Sequence, residues 1–311
     1  MSFDLQVNGY GGVDFNSDEL TPEALHIACT RLQNDGVKGI LLTLITDELI
    51  ALEKRLRRLV KMREADALAR EMITGFHIEG PFINETTGFR GTHPQDCIVP
   101  ASVEATKRLL AAGQGLIRLV TLAPERDEKF QTTRFLYEQD VRIAAGHCDA
   151  SLDQLRGAID AGLSLFTHLG NGCPLELPRH DNIVQRALNL RADLWLCFIA
   201  DGVHVPFFAL KNYLRAAGLE RCIIVTDAIA PAGLGPGHYT LGRLPLEIGE
   251  DMVARAPDSA GGSYLAGSAI TMPKTITHLK NHLGLTNPQI KRLTNDNPRR
   301  ALGLSLHSLQ T

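Results

Sequence analysis

No CxxC pair occurs in this chain. Its six cysteines, Cys29, Cys97, Cys148, Cys173, Cys197 and Cys222, are scattered over 311 residues. That spacing excludes a zinc ribbon or a thioredoxin-type redox motif. Several cysteines sit in apolar runs, as Cys197 does between Leu196 and Phe198, and read as buried reduced thiols rather than a disulfide framework. No apolar run approaches the roughly 18 residues a spanning helix needs, so no membrane partner is expected. Met1-Ser2-Phe3-Asp4 lacks a basic region ahead of an apolar run, so the expectation is no secretory signal and a cytoplasmic setting. An excess of one charge is missing too: 32 Lys+Arg against 35 Asp+Glu leaves a net −3. That argues against a nucleic-acid-coating protein, though not against a local pocket for a small anion. There is no repeat, low-complexity tract or linker. One domain over residues 1–311 is the expectation.

What the chain has is enough apolar sequence for a large core, at 44% hydrophobic and 22% charged residues. Eight short apolar runs read as strands: Leu5–Gly9, Gly39–Ile45, Thr74–Gly80, Ile117–Ala123, Val141–His147, Leu163–Leu169, Leu194–Asp201 and Cys222–Ala228. Near-continuous apolar strands are the mark of a parallel sheet buried on both faces. Helical patterns alternate with them, among them Thr21–Asn34, Asp47–Glu71, Ser102–Ala112, Ser151–Ala161 and Pro206–Ala217. Ser151 and Thr21 are good N-cap types, and Pro22 suits a first turn. Eight such units predict a (β/α)8 TIM barrel of the α/β class, with a doubly wound sheet as the alternative. Polar residues at successive strand C-termini favour the barrel, which converges them on one mouth: Gln6 and Asn8, Glu79, His147, His168, Asp201 and Asp227. After strand eight, about 235–262 reads as a β insertion, a hairpin or small sheet patch. Helix resumes over Ile270–Leu283, Asn287–Thr294 and Pro298–Leu302.

Each strand-end group alone has a plain structural explanation. A carboxylate before Gly80-Pro81 can be an ion pair, and a histidine ending a strand is commonly a hydrogen-bonded structural one. Together those explanations weaken. Glu79, His147 and His168 supply one oxygen and two imidazole nitrogens, a three-ligand set that leaves a position for water, as catalytic zinc sites do. Bound metal brings the pKa of its water to about 7. Asp227 is then free to serve as a general base. A bound divalent ion is expected: Zn, with Fe or Mn equally compatible with the donor set.

The chain resembles the N-acetylglucosamine-6-phosphate deacetylase family of the amidohydrolase superfamily. The matching segments are Gln6-Val7-Asn8-Gly9, His77-Ile78-Glu79-Gly80-Pro81-Phe82, Gly91-Thr92-His93, Gly146-His147, Thr167-His168-Leu169, Ala200-Asp201-Gly202-Val203-His204, Val225-Thr226-Asp227-Ala228 and Leu265-Ala266-Gly267-Ser268. The resemblance implies hydrolysis of the acetamide of N-acetylglucosamine 6-phosphate to the amino sugar phosphate and acetate. It makes Glu79, His147 and His168 the ligands and Asp227 the base, and it places Gln6 and Asn8 where two-metal members carry histidines, which implies one divalent metal ion per chain. His93 matches a residue that hydrogen-bonds the acetyl carbonyl. His204, Asn171, Gly172 and Arg179 fall on the substrate side, with Arg179 reaching a phosphate from the neighbouring subunit of a homodimer. Two departures stand out. Where the family continues with Ala-Met, this chain has Gly172-Cys173, and the segment Leu177–His180 is reworked. Most of the family's small β-domain is expected to be missing. The residues leave open an amidohydrolase for another N-acyl substrate, or a non-catalytic sugar-phosphate-binding barrel.

Overall fold

The computed structural model describes residues 1–257 and 263–305. Eight parallel strands lie in chain order in one sheet: β1 (Ser2–Val7), β2 (Val37–Ile45), β3 (Ile73–Glu79), β4 (Ile117–Leu122), β5 (Arg142–Ala145), β6 (Leu165–Phe166), β7 (Trp195–Ile199) and β8 (Cys222–Val225). A doubly wound sheet would reverse its strand order at a switch point. Here the order never reverses, and a parallel bridge from Val7 to Ala228 brings the last strand round to the first. The fold is a nearly closed (β/α)8 barrel, as the strand spacing predicted.

The helices on the outside are α1 (Pro22–Asn34), α2 (Leu49–Ala65), α3 (Ala67–Met72), α4 (Val103–Gly113), α5 (Gln131–Glu138), α6 (Leu152–Asp160), α7 (Ile183–Asn189) and α8 (Phe207–Ala217), followed by α9 (Met272–Asn281). Thr21 and Ser151 cap α1 and α6 through their side chains, and Gln154 completes a capping box. The single helix expected over Asp47–Glu71 is two. Asp66 adopts extended backbone, and its carboxylate accepts from the N–H groups of Leu68 (2.8 Å) and Ala69 (3.0 Å). A side chain that satisfies the orphan donors of a new first turn ends one helix and starts another. Among the described residues, no helix is long and apolar enough to cross a membrane.

Apolar packing falls in two main layers. Helix faces pack on the barrel's outer surface. Inside, Phe3, Leu5, Leu41, Leu119, Leu165 and Ile223 fill the lower half, and the Arg299 guanidinium sits 4.8 Å above the Phe3 ring. After β8 comes a four-stranded antiparallel sheet, the sheet patch rather than the single hairpin of the two forms expected: β9 (Gly237–Leu241), β10 (Leu244–Ile248), β11 (Ala254–Pro257) and β12 (Ser263–Leu265). Its Leu241, Leu246, Ile248 and Ala256 pack on Ile45 and Ile229. Asp14 ties it to the first βα loop by accepting from Gly242 N at 2.7 Å. Residues 258–262 of the expected insertion lie outside the described residues.

Candidate metal centre

Glu79 is the last residue of β3. Gly80 follows with φ 82°, and a Cβ there would come within 2.0 Å of Thr46 Oγ1, so only glycine lets the chain leave the strand beneath that hydroxyl. The other three groups lie beyond their strands. His147, His168 and Asp227 each stand two residues past the ends of β5, β6 and β8, at φ 51°, 29° and 51°. Left-handed backbone at a residue with a Cβ costs roughly 1–3 kcal/mol and is retained where the surroundings over-determine it. Here it turns the chain outward at one level around the mouth.

The result is a tight buried triangle. His168 Nε2 lies 2.9 Å from Glu79 Oε1, His147 Nε2 lies 3.3 Å from the same oxygen, and the two nitrogens are 3.1 Å apart. Tetrahedral bonds of about 2.0–2.1 Å to zinc would place donor atoms about 3.3 Å apart. The donor chemistry fits as well. His147 Nδ1 is 2.8 Å from the Phe89 carbonyl, which can only accept, so Nδ1 carries the proton. With Nδ1 as the donor, the neutral tautomer carries its lone pair on Nε2, the form in which an imidazole ligates a metal. Burial opposes charge on Glu79, but the two imidazoles against it outweigh that and hold the carboxylate well below its usual range. Among the described residues, Glu79, His147 and His168 are the group of ligating side chains able to hold a metal.

Asp227 faces this triangle from the other side of the mouth. Asn8 Nδ2 donates to its Oδ1 at 2.7 Å, and Gln6 Nε2 donates to Glu79 Oε1 at 3.1 Å. The two strand-one amides thus hold carboxylates. Burial first, then the Glu79 charge, raise Asp227 above the ordinary carboxylate range. His93 packs edge-on against His147, ring centroids 4.4 Å apart. Its Nδ1 is 2.7 Å from Thr46 Oγ1, and burial depresses it to about 3, so the ring is neutral near pH 7.

The substrate-side residues are arranged unequally. Gly172 (φ 60°) lies against the His147 ring, where a Cβ would come within 2.9 Å of Nδ1. Asn171 Nδ2 donates to the His168 carbonyl at 3.2 Å. His204 Nδ1 is 2.6 Å from Asp201 Oδ2, which leaves the other ring nitrogen for a ligand. Arg179 is exposed on the loop between β6 and α7. Asp4 and Thr46 escaped the sequence reading, and Ser268 entered it only within a matching segment. Asp4 accepts from Thr226 N (3.2 Å) and Thr226 Oγ1 (2.6 Å), Ser268 Oγ donates to the Thr226 carbonyl (2.6 Å), and Thr46 holds His93. The one signal for Asp4 was a carboxylate between Phe3 and Leu5, in a strand otherwise bound for the core.

No family model matches the chain. It is 29% identical over 303 residues to the N-acetylglucosamine-6-phosphate deacetylase of Bacillus subtilis, covering 96% of this chain and 74% of that protein. It is 30% identical to an N-acetylgalactosamine-6-phosphate deacetylase of Escherichia coli O157:H7, covering 97% and 77%. Among solved structures, a Mycobacterium smegmatis N-acetyl-D-glucosamine-6-phosphate deacetylase variant, in complex with N-acetyl-D-glucosamine-6-phosphate, superposes with a TM-score of 0.87 at 31% identity, over 97% of this chain and 77% of that one. The Thermotoga maritima N-acetylglucosamine-6-phosphate deacetylase gives 0.84 at 25% identity, over 97% and 78%. With fold and relatives in agreement over nearly its whole length, the chain belongs to the N-acetylglucosamine-6-phosphate deacetylase family of the amidohydrolase superfamily.

Proposed function

We propose that this protein hydrolyses the acetamide of N-acetylglucosamine 6-phosphate, yielding glucosamine 6-phosphate and acetate. The observation that carries the reading is the convergence of Glu79, His147 and His168 opposite a separately held Asp227. A single divalent metal, zinc in the first instance, held by Glu79 Oε1 and the two Nε2 atoms, would supply Lewis acidity and an activated water. Asp227 takes the proton of the attacking water and returns it to the leaving amine, so one carboxylate acts first as base and then as acid. His93 works in the tautomer whose Nδ1 accepts from Thr46, leaving Nε2–H to donate to the acetyl oxygen. One such donor at a developing oxyanion is commonly worth about 3–4 kcal/mol.

Phosphate recognition falls to His204 and Asn171 on this chain and to Arg179 reaching across from the second subunit of a homodimer. A guanidinium can meet a phosphate with two parallel hydrogen bonds. The exposure of Arg179 on its own chain fits a role between subunits. Charge-assisted bonds contribute roughly 1.5–3 kcal/mol. Acetate release from N-acetylglucosamine 6-phosphate should therefore exceed that from N-acetylglucosamine by at least about tenfold in kcat/KM, and Arg179→Ala should erase most of the difference. Equal rates for the two sugars would replace this substrate with another N-acyl compound. Binding of the sugar phosphate with no acetate released from a metal-loaded sample would make the barrel a non-catalytic receptor.

A further inference from the structure

The barrel interior changes character just beneath the three ligands. Lower down it is apolar, with Leu41, Leu119 and Leu165 on β2, β4 and β6. Two residues further along each chain, which keeps the same strand face, the side chains become Thr43, Thr121 and Thr167, and His77 of β3 joins them. All four are at most 2% exposed. His77 Nε2 lies 2.7 Å from Thr121 Oγ1, and Thr121 Oγ1 lies 2.7 Å from Thr167 Oγ1. Thr43 Oγ1 stands 3.5 Å from the other ring nitrogen.

Thr43 and His77 are register partners on neighbouring strands, whereas the Thr121–Thr167 bond skips a strand. The Thr121–Thr167 bond runs from β4 to β6, past Gly146 at the end of β5. A Cβ on Gly146 would come within 2.7 Å of Thr121 Cγ2 and 3.1 Å of Thr167 Cβ. The row thus meets all three ligand-bearing segments. His77 stands two residues before Glu79, Thr121 and Thr167 press on the residue before His147, and Thr167 itself precedes His168. Burying hydroxyls and an imidazole is costly unless every one is hydrogen-bonded, and apolar side chains would fill the space without that demand. With Thr43 against one ring nitrogen and Thr121 against the other, His77 has a defined position in the row.

We propose that His77 is a positioning residue of the metal centre: with Thr121 and Thr167 it forms a hydrogen-bonded floor that sets where Glu79, His147 and His168 stand. The inference rests on reading those three residues as ligands. Partners that orient metal ligands typically carry 10–100-fold in metal affinity, so about that loss is expected when the floor is cut. The test measures the zinc dissociation constant of the full chain by competition with a chromophoric chelator, alongside the Tm of the metal-free protein. Thr121→Val and Thr167→Val keep the shape and remove the hydroxyl. Each should weaken zinc about 10–100-fold while the metal-free Tm changes little. His77→Phe should weaken it at least as much, and His77→Gln, which can still donate and accept, should recover most of the loss. If His77→Phe does not fold, the threonine variants carry the test. Wild-type affinity in both threonine variants overturns the floor, and equal losses in His77→Gln and His77→Phe overturn its hydrogen-bonding basis. A wild type that binds no zinc removes the metal-centre reading itself, and this inference with it.

Discussion

The ligand triangle and the carboxylate facing it are mounted in different ways. Glu79, His147 and His168 end or follow strands paired with both neighbours: β2 pairs with β3 from Thr43–His77 up to Ile45–Glu79, β4 pairs with β5 from Leu119–Arg142 to Leu122–Ala145, and the short β6 makes two pairs with each of its neighbours. Asp227 follows β8, whose link to β1 is the single bridge between Val7 and Ala228. At that seam, scattered bonds replace the ladder. Asp4 holds Thr226, the Asn8 N–H donates to the Ala228 carbonyl at 2.7 Å, and the Ser268 N–H donates to the Asp227 carbonyl at 2.9 Å. Glu79, His147 and His168 thus end or follow strands paired along both edges, whereas Asp227 stands at a seam held by a few named groups. The two flanks should fail separately: the ladder side through metal, the seam side through proton transfer with the metal retained.

The largest effect should come from Glu79→Ala on the ladder side. It deletes the oxygen shared by both histidines and Gln6, so metal should fall from about one ion per chain to almost none, and turnover should fall to background. Elemental analysis reads this directly, and unchanged metal content would merge the two flanks into one. Next is Asp227→Asn at the seam. It keeps shape and removes basicity, so metal should stay bound while kcat drops by about 10²–10⁴. Loss of metal in that variant would make Asp227 a ligand.

Gly146→Ala probes the ladder flank more gently. The new methyl must displace Thr121 and Thr167, and overpacking of this kind costs about 1–3 kcal/mol. The expected outcome is a lower Tm with weakened zinc binding. A lower Tm with zinc affinity intact would show that the ligands do not depend on this contact.

The smallest effect concerns Asp4. Burial pushes its carboxyl up to about 7 from an ordinary 3.8. Because the folded value lies above the unfolded one, Asp4 contributes stability that is fully present below pH 3.8 and is lost as pH rises through about 7. The stability of the wild type relative to Asp4→Asn should therefore decline across that window and level off above it. Urea denaturation at saturating metal checks the slope. A flat difference from pH 4 to 7 would mean that Asp4 is not held protonated at the seam.

Much of this arrangement was legible in the chain because its causes are local. Apolar β-branched runs mark strands, Thr21 and Ser151 mark helix starts, and a polar residue at the end of an apolar run must face the mouth or a partner. Glu79, His147, His168 and Asp227 could be read on that ground alone. The break at Asp66 was harder. An aspartate inside a helical pattern reveals its cap only when the following N–H groups are in place.

What the sequence determined by itself was the set of eight β/α units and the identity of the groups at their ends. Tertiary structure alone decided how those groups meet. That His147, His168 and Asp227 leave their strands at positive φ depends on packing around each turn, since intrinsic preference opposes it. That Thr121 bonds Thr167, 46 positions away, depends on β4 and β6 curving toward each other across Gly146. That Asp4 grips Thr226, 222 positions away, depends on the barrel coming round to its first strand. Propensity is encoded residue by residue, but a hydrogen bond across a barrel exists only once the strands between its partners have closed the circle.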